Sequence, residues 1–529
     1  MTLSGALVLD GASARLHSAI AGLLVAQETP VPPIPAEALA HLREGQRLHR
    51  ARDLAAGLRH LQKALQLAGE HPAILEAMAL LAADGGDLAS AEKIFRHLHA
   101  QSPSVANTVN LARTLYRQHR YADALPLLES AVARSPFSAD LLGMQAAALE
   151  MCGQFDRSLA LQERILREAP SAAQAVNLAS ALLRQGRHDT IRETMPALLK
   201  RWPGTPGLLA TAAVSALGCG DYPQGLAYLR QQQLAINNHH ADARIAALPA
   251  WDGQPFDGLL LVSLEAMIGD EILMSQLLLD VVARGQRAVV EVDARCLPLY
   301  RRAFAAIEFV DRRTTALGDR VQPGIVCRRA ETLDLLEALQ RRWTLPGTPG
   351  WLKPPAELCA RKGAEYRARW PGKKLVGISW RSKQFYNGMD LKSVPLAAFA
   401  QTLSVPGVQF VNLQYGDVRA ELATLGDVPA PWCDPEIDAF NDIDGLAAQI
   451  CALDAVVSTS CATAHLAGAL GMPTTVVLPK RFPILWHWGF REAETTWYGS
   501  VRLARNPEDN GWAELDRLLA ASLAGQRDS

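Results

Sequence analysis

The chain carries almost no net charge. Its 53 Lys and Arg residues balance 54 Asp and Glu residues, which gives a formal charge of -1 at pH 7. Proteins that bind nucleic acid through a broad basic face carry an excess of positive charge, so this balance predicts no nucleic-acid partner. The 529 residues exceed what a single hydrophobic core organises, and we expect two or three domains.

Paired cysteines and long apolar runs are also missing. The eight cysteines form no C-x-x-C pair, which is typical of reduced thiols and predicts neither a disulfide framework nor a zinc site. No apolar run is long enough to span a membrane. Residues 1–26 contain Asp10, Arg15 and His17, so a secretory signal is not expected. We therefore expect a cytoplasmic protein.

Motifs of several large enzyme classes are absent. There is no P-loop and no G-x-G-x-x-G after a strand, so kinase and NAD-dependent dehydrogenase functions have no support. His465 and His487 are the only histidines after residue 254, and no metal site is expected. A D-x-D sequence at Asp442–Asp444 precedes a helical pattern, so Asp442 is interpreted as a helix cap rather than as a metal ligand.

The first half of the chain contains an internal repeat. Five prolines recur at intervals of 31 to 34 residues, and a turn position recurs with them, at Leu88, Tyr121, Phe155, His188 and Tyr222. Glycine precedes most of these positions by two residues, and a small residue follows three residues later, as helix pairs require. The pattern resembles the tetratricopeptide repeat over about Ala38 to Gln233. Such arrays commonly bind polypeptides, although a structural spacer or a dimerisation arm is the alternative.

From Pro255 onward the pattern changes to strands that alternate with helices. Strands are predicted at 259–264, 288–292 and 309–310 in a first set, and at 375–380, 409–413, 455–458 and 475–478 in a second. One helix is predicted over Asp270–Arg284 and another over Leu297–Ile307. Two parallel, doubly wound lobes would place a ligand cleft at the carboxyl ends of their strands.

The segment Val456–Pro479 predicts an anion site. A short buried strand ends in the hydroxyl residues Ser458, Thr459 and Ser460, and Thr463 and His465 follow at the start of a small-residue helix. The N-terminus of a helix offers free N–H groups and a positive dipole end to a phosphate. The alternative is that Ser460 or Thr463 only caps this helix, and that Gly471 ends it.

Three further loops would line the same cleft. Gly269 and Asp270 form a tight turn after the first strand, where Asp270 could also be a simple N-cap. In the second lobe, Arg381 and Lys383 follow a strand, and Lys392 lies in the loop Asp390–Ser393. Cationic groups beside the hydroxyl loop would neutralise a phosphate leaving group.

Several motifs occur in an order that resembles a known family. They are IGDE, GISWRS, LQYGD, STSCATAHLAGALG, WHWG and WYGSVRLAR, and they span about Asp257–Ala524. This order is similar to the glycosyltransferase domain that accompanies tetratricopeptide repeats in many bacteria, which is related to lipopolysaccharide heptosyltransferases of the GT-B fold. With the repeats ahead of it, the whole arrangement resembles bacterial flagellin glycosyltransferases.

The resemblance implies roles at the matching positions. Asp270, next to Gly269, would be the catalytic general base, which removes the proton from an acceptor hydroxyl. Donor phosphates would contact a set of hydroxyl, imidazole and cationic groups: Ser460, Thr463, His465, Arg381 and Lys392. The donor base and ribose would lie near Gln414 and Tyr415.

Two departures from the family pattern affect what is expected of the donor. Relatives commonly carry an Asp in the hydroxyl loop, whereas this chain has Ser458, Thr459, Ser460 and Cys461. That change suits a different donor or ribose contact, or a domain that binds without turnover. The usual Trp-Arg-Trp becomes Trp486-His487-Trp488, so a permanent cation is replaced by a titratable group, and His487 is interpreted as structural.

The predicted fold class is α plus α/β, with an all-α tetratricopeptide solenoid followed by a two-lobed GT-B domain. The expected boundaries are 1–37 for an N-terminal helical segment, 38–236 for the repeats, 237–254 for a linker, 255–352 for the acceptor lobe and 353–529 for the nucleotide-sugar lobe.

The predicted function is transfer of a sugar from a nucleotide sugar to Ser or Thr of a protein that the repeats capture. The enzyme would use no metal and no cofactor besides this donor substrate. The resemblance implies flagellin as the acceptor and a CMP-activated nonulosonic acid, of the pseudaminic or legionaminic type, as a donor. The alternatives are a repeat scaffold or export adaptor whose transferase fold has lost turnover, and a transferase that acts on a glycan.

Overall fold

The computed structural model describes residues 33–135, 138–236, 242–264, 267–339, 350–382, 392–480, 484–490, 493–508 and 511–525. The chain divides into two compact units, the first ending at Ala181 and the second beginning at Leu182. Parts of the predicted N-terminal segment and linker lie outside the described residues, as do Lys383, Asp390 and Pro136. Among the described residues, no helix has the length and hydropathy needed to cross a membrane.

The N-terminal part is an all-helical array of paired helices. Helices of 13 to 15 residues follow one another through short turns: Ala36–Arg50, Leu54–Ala68, Pro72–Asp84, Leu88–Gln101, Val105–Arg117, Tyr121–Arg134, Ala139–Met151, Phe155–Glu168, Ala172–Arg184, His188–Arg201, Pro206–Gly218 and Tyr222–Ala235. Each of the five predicted turn positions, from Leu88 to Tyr222, is the first residue of a helix. Ala91, Ala124 and Ser158, three residues further on, are fully buried, as close helix packing requires. The predicted repeat is therefore confirmed.

The turn within each helix pair depends on one residue in the left-handed conformation. Its φ angle lies between 61° and 90° at Arg52, Gly86, His119, Gly153, Gly186 and Gly220. Glycine adopts this conformation without steric cost, whereas a side chain is strained there. Arg52 and His119 therefore fill the same structural position as the glycines in repeats that lack one.

The C-terminal part contains two parallel sheets. Within the described residues, the first sheet has the order β3-β2-β1-β4 and the second the order β6-β5-β7-β8-β9. The strands are β1 Leu259–Ser263, β2 Ala288–Val292, β3 Glu308–Asp311, β4 Cys327–Glu331, β5 Lys374–Ser379, β6 Val408–Asn412, β7 Ala455–Thr459, β8 Thr474–Leu478 and β9 Val501–Arg505. Within the described residues, neighbouring strands of each sheet run parallel; for example, Ile378 of β5 pairs with Val457 of β7.

Short helices and 3-10 turns connect the strands. The α-helices are Ala243–Ala246, Ile268–Met274, Leu278–Ala283, Leu297–Ala303, Thr332–Ala338, Ala356–Arg369, Ala400–Leu403, Arg419–Ala423, Ile443–Cys451, Ala462–Ala469 and Ala513–Gly525. The 3-10 helices are Ser275–Leu277, Ala294–Cys296, Leu317–Arg320, Leu396–Phe399 and Trp486–Trp488. Neighbouring residues of one strand belong to different cores, since Val456 packs in one hydrophobic cluster and Val457 in another. The second sheet is therefore covered on both faces, as expected of a parallel sheet.

The seven predicted strands all form, but three details differ from the sequence expectation. β4 and β9 were not predicted as strands, and the helix predicted over Asp270–Arg284 is interrupted by the 3-10 turn Ser275–Leu277. Within the predicted linker, Trp251 is buried. Its backbone N–H donates to the carbonyl of Arg329 on β4, at 2.8 Å. This part of the segment is thus packed along the first sheet.

Candidate functional site

The hydroxyl loop lies at the carboxyl end of β7, in the centre of the second sheet. Ser458, Thr459, Ser460 and Thr463 are all buried. The helix Ala462–Ala469 begins after Cys461, and no side chain caps its N-terminus. The capping alternative for Ser460 and Thr463 is therefore wrong, whereas the expected cap at the other end is confirmed, because Gly471 has a φ of 75°.

A second segment packs against this loop. The indole Nε1 of Trp488 donates to the Ser460 hydroxyl at 2.9 Å, so that Ser460 is held in place from outside the loop. The Trp488 ring also stacks on His465, with centroids 4.8 Å apart. This contact of Trp488 was not predictable, because nothing in the sequence reveals which buried hydroxyl an indole will reach.

His465 is a buried, neutral imidazole. Its Nδ1 lies 2.8 Å from the hydroxyl of Tyr498. Burial, together with a smaller effect of the nearby charge of Lys392, lowers the pKa of His465 to about 3. His465 therefore offers hydrogen-bonding groups but no positive charge to a bound phosphate near neutral pH.

His487 is neutral for the same physical reason. Burial lowers its pKa well below the ordinary value, with smaller contributions from His465 and Lys392. Its ring centroid is 4.9 Å from that of His465. His487 therefore does not take up a proton near neutral pH, although the sequence predicts a titratable group there. The positive charge of this cluster comes from Lys392, which is itself buried.

The Gly269–Asp270 turn of the first lobe meets this cluster. A Cβ placed on Gly269 would lie 3.1 Å from Cδ2 of His465 and 3.4 Å from Cα of Ala462, so glycine permits the close approach. Asp270 is partly exposed, and its charge raises the pKa of the Tyr498 hydroxyl, whose main perturbation is burial. Helix Ile268–Met274 begins after Met267, so Asp270 is not its N-cap.

Glu271, the next residue, holds this turn in place through buried contacts. Its carboxylate is fully buried, forms an ion pair with Arg312 at 2.7 Å and accepts the backbone N–H of Asp293 at 2.9 Å. Burial raises the pKa of Glu271 to about 7, against the opposing charge of Arg312. This role of Glu271 was not predicted from the sequence, because its partners are 22 and 41 residues away.

The remaining predicted donor residues lie at the ends of β5 and β6. Gln414 is buried, and its Oε1 accepts hydrogen bonds from Ser379 Oγ and from the N–H groups of Trp380 and Arg381. Arg381 forms an ion pair with Glu421 at 2.8 Å. The Tyr415 ring lies 6.1 Å from that of Phe440. The structure thus brings Asp270, Lys392, Ser460, Thr463 and His465 together, and places Arg381, Gln414 and Tyr415 in a neighbouring group.

The D-x-D sequence has a structural use. The Asp442 carboxylate accepts the N–H of Gly445 at 2.8 Å and caps helix Ile443–Cys451, which confirms the capping interpretation. Asp444 forms an ion pair with Arg302. Within the part of the chain that the structure describes, no group of three or more His, Cys, Asp or Glu side chains is placed to hold a metal ion.

Comparison with known proteins identifies the repeats and a relative that matches most of the chain. The model of the tetratricopeptide repeat family matches residues 109–173. Protein FlbA of Caulobacter vibrioides is 30% identical over 496 residues, which cover 89% of this chain and 81% of that protein. The chain belongs to the FlbA family. The likeness to FlbA extends far beyond the repeat model and includes most of the sheet-containing part.

Solved structures resemble the chain over shorter stretches. MamA from Desulfovibrio magneticus is 20% identical, with a TM-score of 0.30, and the match covers 32% of this chain and 96% of MamA. PilF from Pseudomonas aeruginosa is 16% identical, with a TM-score of 0.32, and the match covers 38% of this chain and 93% of PilF.

Proposed function

We propose that the chain is a metal-independent protein O-glycosyltransferase of the GT-B type. The observation that carries the proposal is the close approach of Gly269, in the Gly269–Asp270 turn, to Ala462 and His465, which follow the hydroxyl loop. A carboxylate on one lobe and a buried hydroxyl, imidazole and ammonium cluster on the other suit an acceptor hydroxyl and a donor phosphate, respectively.

In the proposed reaction, Asp270 takes the proton of the acceptor hydroxyl. The acceptor oxygen forms a bond to the anomeric carbon while the bond from that carbon to the phosphate oxygen breaks, and the electron pair leaves with the phosphate. Ser460, Thr463 and Lys392 supply hydrogen bonds and positive charge to the departing phosphate. Neutral His465, oriented by Tyr498, hydrogen-bonds in this cluster without adding charge.

The helix pairs would bind the protein acceptor, since repeats of this kind present extended surfaces to polypeptides. Flagellin as that acceptor and a CMP-activated nonulosonic acid as donor rest on the resemblance of the motifs to flagellin glycosyltransferases. The cleft residues themselves support a phosphate-linked donor and do not select among sugars.

Replacing Asp270 tests the proposal. Asp270→Asn keeps the shape of the side chain but removes its basicity, so we expect transfer to fall by about 10²-fold or more while the fold and donor binding are kept. The matched control is Asp257→Asn, which neutralises an exposed carboxylate of the same lobe and should leave transfer unchanged. Purified variants are compared by the mass gain of flagellin after incubation with the nucleotide sugar.

A binding module without turnover is the second candidate. The observation that favours it is the hydroxyl loop, where Ser458, Thr459, Ser460 and Cys461 supply no carboxylate. An adaptor of this kind would keep its partner binding and biological role in the Asp270→Asn variant. Equal performance of Asp270→Asn and Asp257→Asn in every assay would therefore replace the enzyme proposal with this one.

A further inference from the structure

The segment 484–490 links the candidate site to the last helix pair of the repeats. At its centre, His487 and Trp488 are buried beside His465 and Ser460. Phe490, two residues after Trp488, lies outside the site. Its backbone N–H donates to the carbonyl of Gly218 at 2.9 Å. Gly218 is the last residue of helix Pro206–Gly218.

The Phe490 side chain occupies a slot between that helix pair and the preceding one, whose second helix is His188–Arg201. Its ring stacks on His188, with centroids 4.0 Å apart and planes inclined by 6°. A Cβ added at Gly218 would overlap the Phe490 ring, so the absence of a side chain at Gly218 makes room for it. The slot is therefore formed by His188 on one face and Gly218 on the other.

Two further contacts fix the last helix pair, Pro206–Gly218 and Tyr222–Ala235, to the sheet-containing part. The Tyr222 hydroxyl lies 3.0 Å from Oγ1 of Thr496, and the neighbouring Thr495 hydroxyl donates to the carbonyl of His487 at 2.8 Å. Arg230 forms ion pairs with Asp334 and Glu337 at 2.7 and 2.6 Å. The last helix pair thus contacts residues of both predicted lobes.

We propose that His188 of the preceding repeat and Gly218 of the last repeat, through Phe490, position His487 and Trp488 in the donor-phosphate site. Phe490 is then a positioning residue. The last helix pair serves the site rather than the acceptor, and the acceptor is bound by the earlier repeats. The part of this inference that concerns catalysis rests on the proposed function, whereas the structural part stands without it.

The structural part is tested by hydrogen exchange in the full-length protein. Phe490→Ala, or the milder Phe490→Leu if the first is poorly folded, should increase amide exchange in peptides that cover 484–499 and leave the β5–β7 peptides unchanged. Gly218→Ala should do the same, because its Cβ displaces the ring. Gly143→Ala is the matched control, since that helical glycine has open space around its Cβ position.

Compensation distinguishes a specific contact from general damage. If the slot acts as proposed, Gly218→Ala combined with Phe490→Leu should exchange less in 484–499 than Gly218→Ala alone, because the smaller side chain accommodates the new Cβ. Unchanged exchange in both single variants would overturn the proposal. Loss of protection throughout the second unit in the folded Phe490→Leu variant would overturn it as well.

Kinetics of the same variants test the catalytic part. A displaced Trp488 loosens Ser460, so we expect the KM for the nucleotide sugar to rise about tenfold or more, with the KM for the protein acceptor unchanged. An equal rise of both KM values would overturn the assignment of the last pair to the donor site. If the wild-type protein transfers no sugar, the proposed function fails, and the exchange experiment still decides whether Phe490 positions the segment.

Discussion

Burial decides the chemistry of individual residues in this site. His465 and His487 lie within 4.9 Å of each other, beside the buried cation Lys392, and the pKa of each is lowered below its ordinary value. The sequence shows two histidines and a lysine but not their burial, so it predicted a titratable group at His487. The family motifs name the candidate site residues, whereas the protonation states of these residues depend on the packing around them.

The neutral histidines make stability depend on pH. Because the folded-state pKa of His487 lies well below 6.5, the unfolded chain binds a proton first as the pH falls. The contribution of neutral His487 to the free energy of unfolding is therefore fully present above about pH 6.5. It is lost as the pH falls below that value, by up to about 1.4 kcal/mol per pH unit. Glu271, whose pKa is raised to about 7, changes stability with pH in the opposite direction. Its contribution is the same in the wild-type protein and in a His487 variant, so it cancels when the two are compared.

His487→Gln isolates this contribution. Urea unfolding at pH 7, 6 and 5 should show a smaller loss of stability on acidification for His487→Gln than for the wild-type protein. The difference should grow toward pH 5, since glutamine cannot bind the proton. Parallel pH profiles for the two proteins would contradict the neutral, buried state of His487.

At the scale of elements, local sequence signals were sufficient where they repeat. Turn positions and small packing residues located the helix pairs, and short apolar runs located seven strands. β9, Val501–Arg505 at the edge of the sheet, was missed because the prediction relied on continuous apolar runs, whereas this strand alternates polar and apolar residues. The break in the helix after Met274 was also missed, since residues 270–284 show no proline or glycine before Gly285.

The repeat turns give a matched pair of glycine substitutions. Gly153 has a φ of 76°, so Gly153→Ala should destabilise the first unit by about 1 kcal/mol. Gly143 lies within helix Ala139–Met151 with open space beside it, so Gly143→Ala should stabilise the same unit by up to about 1 kcal/mol. Thermal unfolding followed by circular dichroism measures both, and shifts of the same sign would contradict the assignment of the turn.

At the scale of the whole molecule, the compact units do not follow the expected division between repeats and transferase. The second unit begins at Leu182 and includes the last helix pair. The sequence could not predict this, because the last repeat has the same pattern as the others. Its contacts, such as Phe490 with Gly218, come from residues about 270 positions away in the chain.

This division predicts the outcome of truncation. A chain that begins at Pro170 keeps the helix Ala172–Arg184 and the whole second unit, so we expect it to fold and to bind the nucleotide sugar but to lose transfer to a protein acceptor. Deleting 38–233 also removes His188 and Gly218, so it should impair donor binding as well. Thermal unfolding and donor titration of the two shortened chains measure these effects. Undiminished flagellin modification by the Pro170 chain would contradict binding of the acceptor by the earlier repeats.

The most direct test of the central claim is the intact mass of flagellin from cells that carry the wild-type gene, a deletion of the gene, Asp270→Asn or Asp257→Asn. The account predicts that the deletion and Asp270→Asn strains lose the same sugar-sized mass increments, while Asp257→Asn matches the wild type. An identical flagellin mass in all four strains would contradict it.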